Sequence, residues 1–171
     1  MAEELATLLV DAFSGLTSLK FGKELIIFII SMLPILELRG GLIAAALLGL
    51  KGLPSFIICF IGNILPIPFI LWFITPIFNY LKKTKLFKGM VEKLENKAMS
   101  KKEQIDRLKY IGLMLFVGIP LPGTGAWTGC LIAAMLGMDK KKSMLYTILG
   151  VVMAGIIMMI LSFGILDKII H

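Results

Sequence analysis

Histidine is all but missing: the one copy, His171, is the last residue. That excludes a His-containing catalytic triad or a multi-histidine metal site within the apolar segments. Cysteine is scarce as well. Cys59 and Cys130 both fall inside apolar segments and read as small packing residues, not as a disulfide or metal pair. Neither a phosphate-binding P-loop nor a dinucleotide fingerprint occurs. A pump driven by nucleotide hydrolysis is therefore not expected, and no cofactor or metal is implied. No nucleophile–base pair points to an enzyme. Acidic residues number 11 against 18 lysines and arginines, a net charge of +7. The basic residues cluster in loops beside apolar spans, which points to membrane lipid headgroups and not to nucleic acid. The first residues carry Glu3 and Glu4 instead of a basic region, so no cleavable signal peptide is expected.

What the chain has in abundance is apolar sequence. The hydrophobic fraction is 58 % and the mean hydropathy +0.93, which marks an integral membrane protein. Its length of 171 residues fits one membrane domain, 1–171, and a chain this short is expected to complete any large cavity as a homo-oligomer.

The middle of the chain reads the same twice. Residues 32–50 align without a gap on residues 120–138, with 7 identities in 19 positions at a constant offset of 88. In each copy an apolar segment is broken by proline and glycine and restarts as a small-residue helix. Paired interrupted segments in two halves of an apolar protein point to a transporter's midplane binding site.

The remaining segments order themselves around the repeat. Residues 1–20 form an amphipathic N-terminal helix, with Leu5, Leu8, Leu9, Ala12, Phe13, Leu16 and Leu19 on helical spacing, expected at a membrane interface. Residues 21–80 make a first repeat, with a broken stretch at 25–50 and an uncharged crossing helix at 53–80 kinked near Pro66 and Pro68. Residues 81–109 are a basic linker holding ten lysines or arginines against four acids. Its 84–107 part keeps some helical spacing, and Ser100 to Glu103 has the form of a capping box. Residues 110–168 make a second repeat, with a broken stretch at 110–138 and a crossing helix at 143–166.

Charge distinguishes two topologies. Four plain crossings put the lysine-rich loops 81–109 and 139–142 on opposite sides of the membrane. If 25–50 and 110–138 are re-entrant hairpins, both loops are cytoplasmic, as positive charge prefers. Arms of roughly 12 residues would reach about 18 Å, just past the middle of a ~30 Å core. The expected fold is thus all-α and integral to the cell membrane, multi-pass. It is an inverted repeat of re-entrant helical hairpin plus transmembrane helix, with amphipathic interfacial helices.

Glu37 and Arg39 are the only ionisable residues deep in an apolar stretch, and such residues usually mark a pathway. A carboxylate in a poorly solvated site can carry a proton, and a guanidinium grips phosphate or carboxylate in a fork. The bland alternative is a neutralising pair at the hairpin tip, although residues two apart on a helix face away from each other. In the second copy these positions become Gly125 and Trp127. There Gly123 and Gly125 permit unusual dihedrals, and a helix restarting near Ala126 offers free N–H groups to an anion. The first tip is expected to restart near Gly40 with the same polarity, placing Arg39 between two positive helix ends. Thr124 and Thr128 either donate hydroxyls to substrate or satisfy freed carbonyls. Asn63 either bonds Glu37 or a hairpin carbonyl, or serves as interhelical glue. The candidate substrate-binding set is Glu37, Arg39, Gly40, Asn63, Gly123, Thr124, Gly125, Trp127 and Thr128, with Glu37 proton-linked.

At Pro34-Ile-Leu-Glu-Leu-Arg-Gly-Gly41 and at Ile119-Pro-Leu-Pro-Gly-Thr-Gly-Ala-Trp-Thr-Gly129 the chain resembles the small multidrug export proteins, over almost its whole length. More weakly it is similar to the DedA, or VTT-domain, membrane proteins. That resemblance implies two opposed re-entrant hairpins and movement of lipids such as polyprenyl phosphate, with proton dependence in some members. Glu37 matches the acid of their first-hairpin motif. Their second hairpin usually carries arginines, whereas this chain has none between Gly112 and Met138. The functional expectation is a small secondary transporter or exporter, proton-coupled, for an anionic or amphipathic substrate such as a phosphate-headed lipid. The alternatives are a drug or small-solute exporter and a non-transporting membrane scaffold.

Overall fold

In the computed structural model the offset of 88 governs helices as well as letters. The structure describes residues 2–13, 15, 19, 21–83, 88–89, 91–93, 96, 109–121 and 123–165. The first repeat contains α2 (Gly22–Met32), α3 (Glu37–Leu47), α4 (Gly52–Ile64) and α5 (Pro66–Leu81), preceded by α1 (Ala2–Ala12). The second contains α6 (Lys109–Gly118), α7 (Ala126–Met135), α8 (Lys140–Met159) and a π-helical end, Ile160–Ile165. Shifting α2, α3 and α4 by 88 residues lands on α6, α7 and the start of α8.

The helix stops repeat in atomic detail. After α3, the Leu50 N–H donates to Ala45 O at 2.9 Å and the Gly49 N–H to Ala46 O at 3.1 Å. After α7, the Met138 N–H donates to Ala133 O at 3.0 Å and the Gly137 N–H to Ala134 O at 3.2 Å. Both are Schellman caps, which need a left-handed residue. Gly49 has φ +67° and Gly137 φ +63°.

Packing repeats as well. α4 lies on α2, and α8 on α6. Gly62 and Gly150, 88 apart, allow these approaches: a Cβ on Gly62 would lie 2.7 Å from Phe28 O, and one on Gly150 2.7 Å from Met114 O. α5 packs against α7, as the π-helical end packs against α3, and α4 touches α8. Ile26, Ile27, Ile30, Leu38, Leu42, Leu113, Ile132 and Ala133 are fully buried where these helices meet. Gly52–Ile77 and Lys140–Gly164 are each long and apolar enough to cross a bilayer.

Two local expectations change. α3 restarts at Glu37, three residues before Gly40, because the turn after Leu33 is already wound: the Glu37 N–H donates to Leu33 O at 2.9 Å and the Gly40 N–H to Leu36 O at 2.8 Å. α1 ends at Ala12 and packs on α3, burying Ala6. Leu5, Leu9, Val10 and Phe13 join the core, so much of its apolar face is spent on protein. Leu16, the capping box at Ser100 and most of the 84–107 stretch lie outside the described residues.

Candidate functional site at the junction of the repeats

The two broken segments meet at their tips. Glu37, at the first position of α3, has φ +51°, a conformation that non-glycine residues rarely take. It is buried, at 5 % exposure. Its Oε2 accepts the Ala126 N–H at 2.9 Å and its Oε1 accepts the Trp127 N–H at 3.0 Å. The carboxylate therefore caps α7, whose own preceding residue, Gly125, has no side chain to do so. Negative charge is favoured at that end of a helix, and charge-assisted bonds of this kind contribute about 1.5–3 kcal/mol each. That gain offsets the local cost of the left-handed residue, on the order of 1–2 kcal/mol.

Arg39 does the opposite job. Its Nη1 donates to Leu121 O at 3.0 Å, and its Nη2 to Val117 O at 3.1 Å and Ile119 O at 3.3 Å. Nη2 also lies 3.2 Å from Thr124 Oγ1. These carbonyls end α6 at Gly118, where Pro120 and Pro122 supply no N–H groups to continue the helix. Thr124 Oγ1 lies 2.9 Å from Ile119 O and 2.8 Å from Leu121 O, so of the two roles expected for its hydroxyl the structure shows the backbone one. The expected placement of Arg39 between two positive helix ends is thus replaced by placement on a negative one, because freed carbonyls attract a guanidinium as freed N–H groups attract a carboxylate.

The register explains the arrangement. Position 39 corresponds to 127, and Trp127 acts as Arg39's counterpart: its indole Nε1 donates to Met32 O at 3.1 Å, at the end of α2. Each repeat's second helix therefore sends a donor to the end of the other repeat's first helix. Position 37 corresponds to 125, and these two touch. A Cβ on Gly125 would meet the Glu37 carboxylate, with Cδ 2.6 Å away.

Other members of the predicted set stand further off. Asn63 is buried in α4 and its Oδ1 has no partner among the described residues. A bond from Asn63 to Glu37, one of the alternatives expected for this side chain, is not made. Gly40 is buried, with its open side filled by Leu36. Gly123, at φ +79°, is exposed in the turn, and Thr128 is half-buried without a bond into the cluster among the described residues. Sequence reasoning missed the carbonyls of Met32, Val117, Ile119 and Leu121. The prolines beside two of them were the available signal.

One consequence is measurable. Arg39→Lys keeps the charge but replaces a planar fork by a single ammonium, which cannot serve carbonyls spread along the α6 exit. Thermal unfolding in detergent should show a loss of about 1–2 kcal/mol. An unchanged midpoint would mean that the fork is not holding the junction.

The described residues pack as helices without strands, and two of those helices are long and apolar enough to cross a membrane, which together with the apolar composition points to a membrane protein. A family model described as "putative small multi-drug export protein" matches residues 37–157, and the chain belongs to that family. The match begins at Glu37 and includes both tips of the junction. Its description is that of an exporter family and not of an enzyme family. No curated protein and no solved structure matches the chain.

Proposed function

We propose that the chain is a proton-linked secondary exporter of the cell membrane. In this reading Glu37 exchanges a proton, and an anionic or amphipathic substrate takes its place at the start of α7. One observation carries the reading: a single buried carboxylate holds the Ala126 and Trp127 N–H groups of the opposite repeat. Protonation removes its negative charge, and a substrate anion then competes for the same two donors. Arg39 becomes an anion contact once it leaves the α6 carbonyls, so the arrangement described is a closed one.

The geometry of the reading is an inverted pair of re-entrant hairpins, 25–50 and 110–138. In support, Lys23 Nζ donates to Leu48 O at 2.9 Å, setting the start of α2 beside the end of α3. The Asp139 N–H donates to Tyr110 Oη at 3.3 Å, setting the start of α6 beside the end of α7. The tips meet between these two openings. Both lysine-rich loops then face the cytoplasm, and the repeats 21–80 and 110–168 form one membrane domain that associates as a homo-oligomer. A phosphate-headed lipid as cargo rests on the resemblance to DedA proteins alone. The family description favours a drug-sized solute as the second reading.

Proteoliposomes with an imposed pH gradient test the proposal, using a fluorescent anionic amphiphile and a fluorescent phosphate-headed lipid as probes. The wild type moves at least one of them. Glu37→Gln loses dependence on the gradient, and Arg39→Ala slows transport by at least about tenfold. Wild-type rates in both variants would remove the site.

A further inference from the structure

A second cluster lies where α6 and α8 begin. Lys142 Nζ sits 5.8 Å from the centre of the Tyr110 ring, which stacks on Tyr146 at 5.5 Å. α5 brings Trp72 to the same end, with Lys140 Nζ 6.0 Å from its ring centre. Beside Trp72 runs a groove of about 280 Å³ lined by Pro68, Phe69, Trp72 and Phe73. Phe69 and Phe73 stack at 6.2 Å and remain 62 % and 55 % exposed. No junction residue contributes to this groove.

We propose that the groove and its lysines form a docking site for one anionic phospholipid. The acyl chain lies along Pro68–Phe73, and the headgroup phosphate is held by Lys140 with Lys141 and Lys142. Charge selects the occupant. Lys109, Lys140, Lys141 and Lys142 are all exposed at this end. The acid among them, Asp139, spends Oδ1 on the Lys142 N–H at 2.8 Å, as the N-cap of α8. A zwitterionic headgroup would set its own ammonium against these lysines, whereas an anionic one gains from each of them. Among the described residues the walls are proline and aromatic side chains, which suits an acyl chain, and Trp72 presents the apolar body and polar edge typical of the bilayer interface. The groove belongs to a helix of bilayer-crossing length, so its natural surroundings are lipid.

The test is native mass spectrometry of the protein extracted in mild detergent from phosphatidylcholine vesicles containing a minority of phosphatidylglycerol. The wild type should retain one phosphatidylglycerol, enriched about fivefold over its share of the vesicle. Replacing Lys140, Lys141 and Lys142 together by Gln should return retained lipid to the vesicle proportions. These side chains are exposed, so folding is preserved. Phe69→Ala should lower total retained lipid while keeping the headgroup preference. Bulk proportions in the wild type, a preference surviving in the triple variant, or undiminished retention in Phe69→Ala each overturns the site. So does a dimer whose interface covers the groove and leaves no lipid bound.

Discussion

Glu37→Ala should be the most destabilising single change at the junction, by about 3 kcal/mol, because it strips two helix-terminal N–H groups of a charged acceptor inside the protein. Arg39 would also be left as an uncompensated charge in the same apolar stretch. Thermal or denaturant unfolding in detergent measures this, and an unchanged midpoint would show that the cap contributes nothing. Glu37→Gln should fall in between. Its amide keeps one acceptor oxygen but turns an NH₂ group toward a backbone donor, so one of the two bonds is lost.

Gly125→Ala should do comparable damage for a different reason. Its φ of +146° belongs to a region nearly closed to residues with a Cβ, at a cost on the order of 1–3 kcal/mol. The added methyl also strikes the Glu37 carboxylate and pushes it off Ala126 and Trp127. Gly123→Ala is the matched control. Its φ is +79°, yet nothing lies within 4 Å of its added Cβ, so it should lose only about 1 kcal/mol. Equal loss of monodisperse protein in the two variants would mean that backbone strain alone is being read. A Glu37→Ala background should relieve part of the Gly125→Ala penalty, since the methyl then has no carboxylate to strike. Strict additivity in that double-mutant cycle would deny the contact.

The repeat was legible in the letters because proline, glycine and alanine punctuate both copies at one spacing. The restart at Ala126 followed from it, whereas the first copy restarts at Glu37 and not near Gly40. Glu37 and Arg39 stood out because charge is so rare in apolar sequence. Their partners did not stand out, because those are backbone atoms 78 to 90 residues away. Composition does not show which helix end a side chain will meet. The N–H groups at the two helix restarts suggest a place for Arg39 between them, whereas the carbonyls at the α6 exit are what its guanidinium meets. Writing positions 37 and 39 beside 125 and 127 already held the clue. The acid has a glycine for its counterpart, leaving room, and the arginine has a second N–H donor, tryptophan.

The contact between positions 37 and 125 has a consequence for how such a protein can be assembled. Two identical subunits related by a twofold axis would bring the same residue to both sides of this point: two acids in collision, or two glycines with no cap. One acid facing one glycine requires halves that differ. Joining the halves in one polypeptide supplies that freedom, and the lone carboxylate gives the junction a polarity that a symmetric pair could never have.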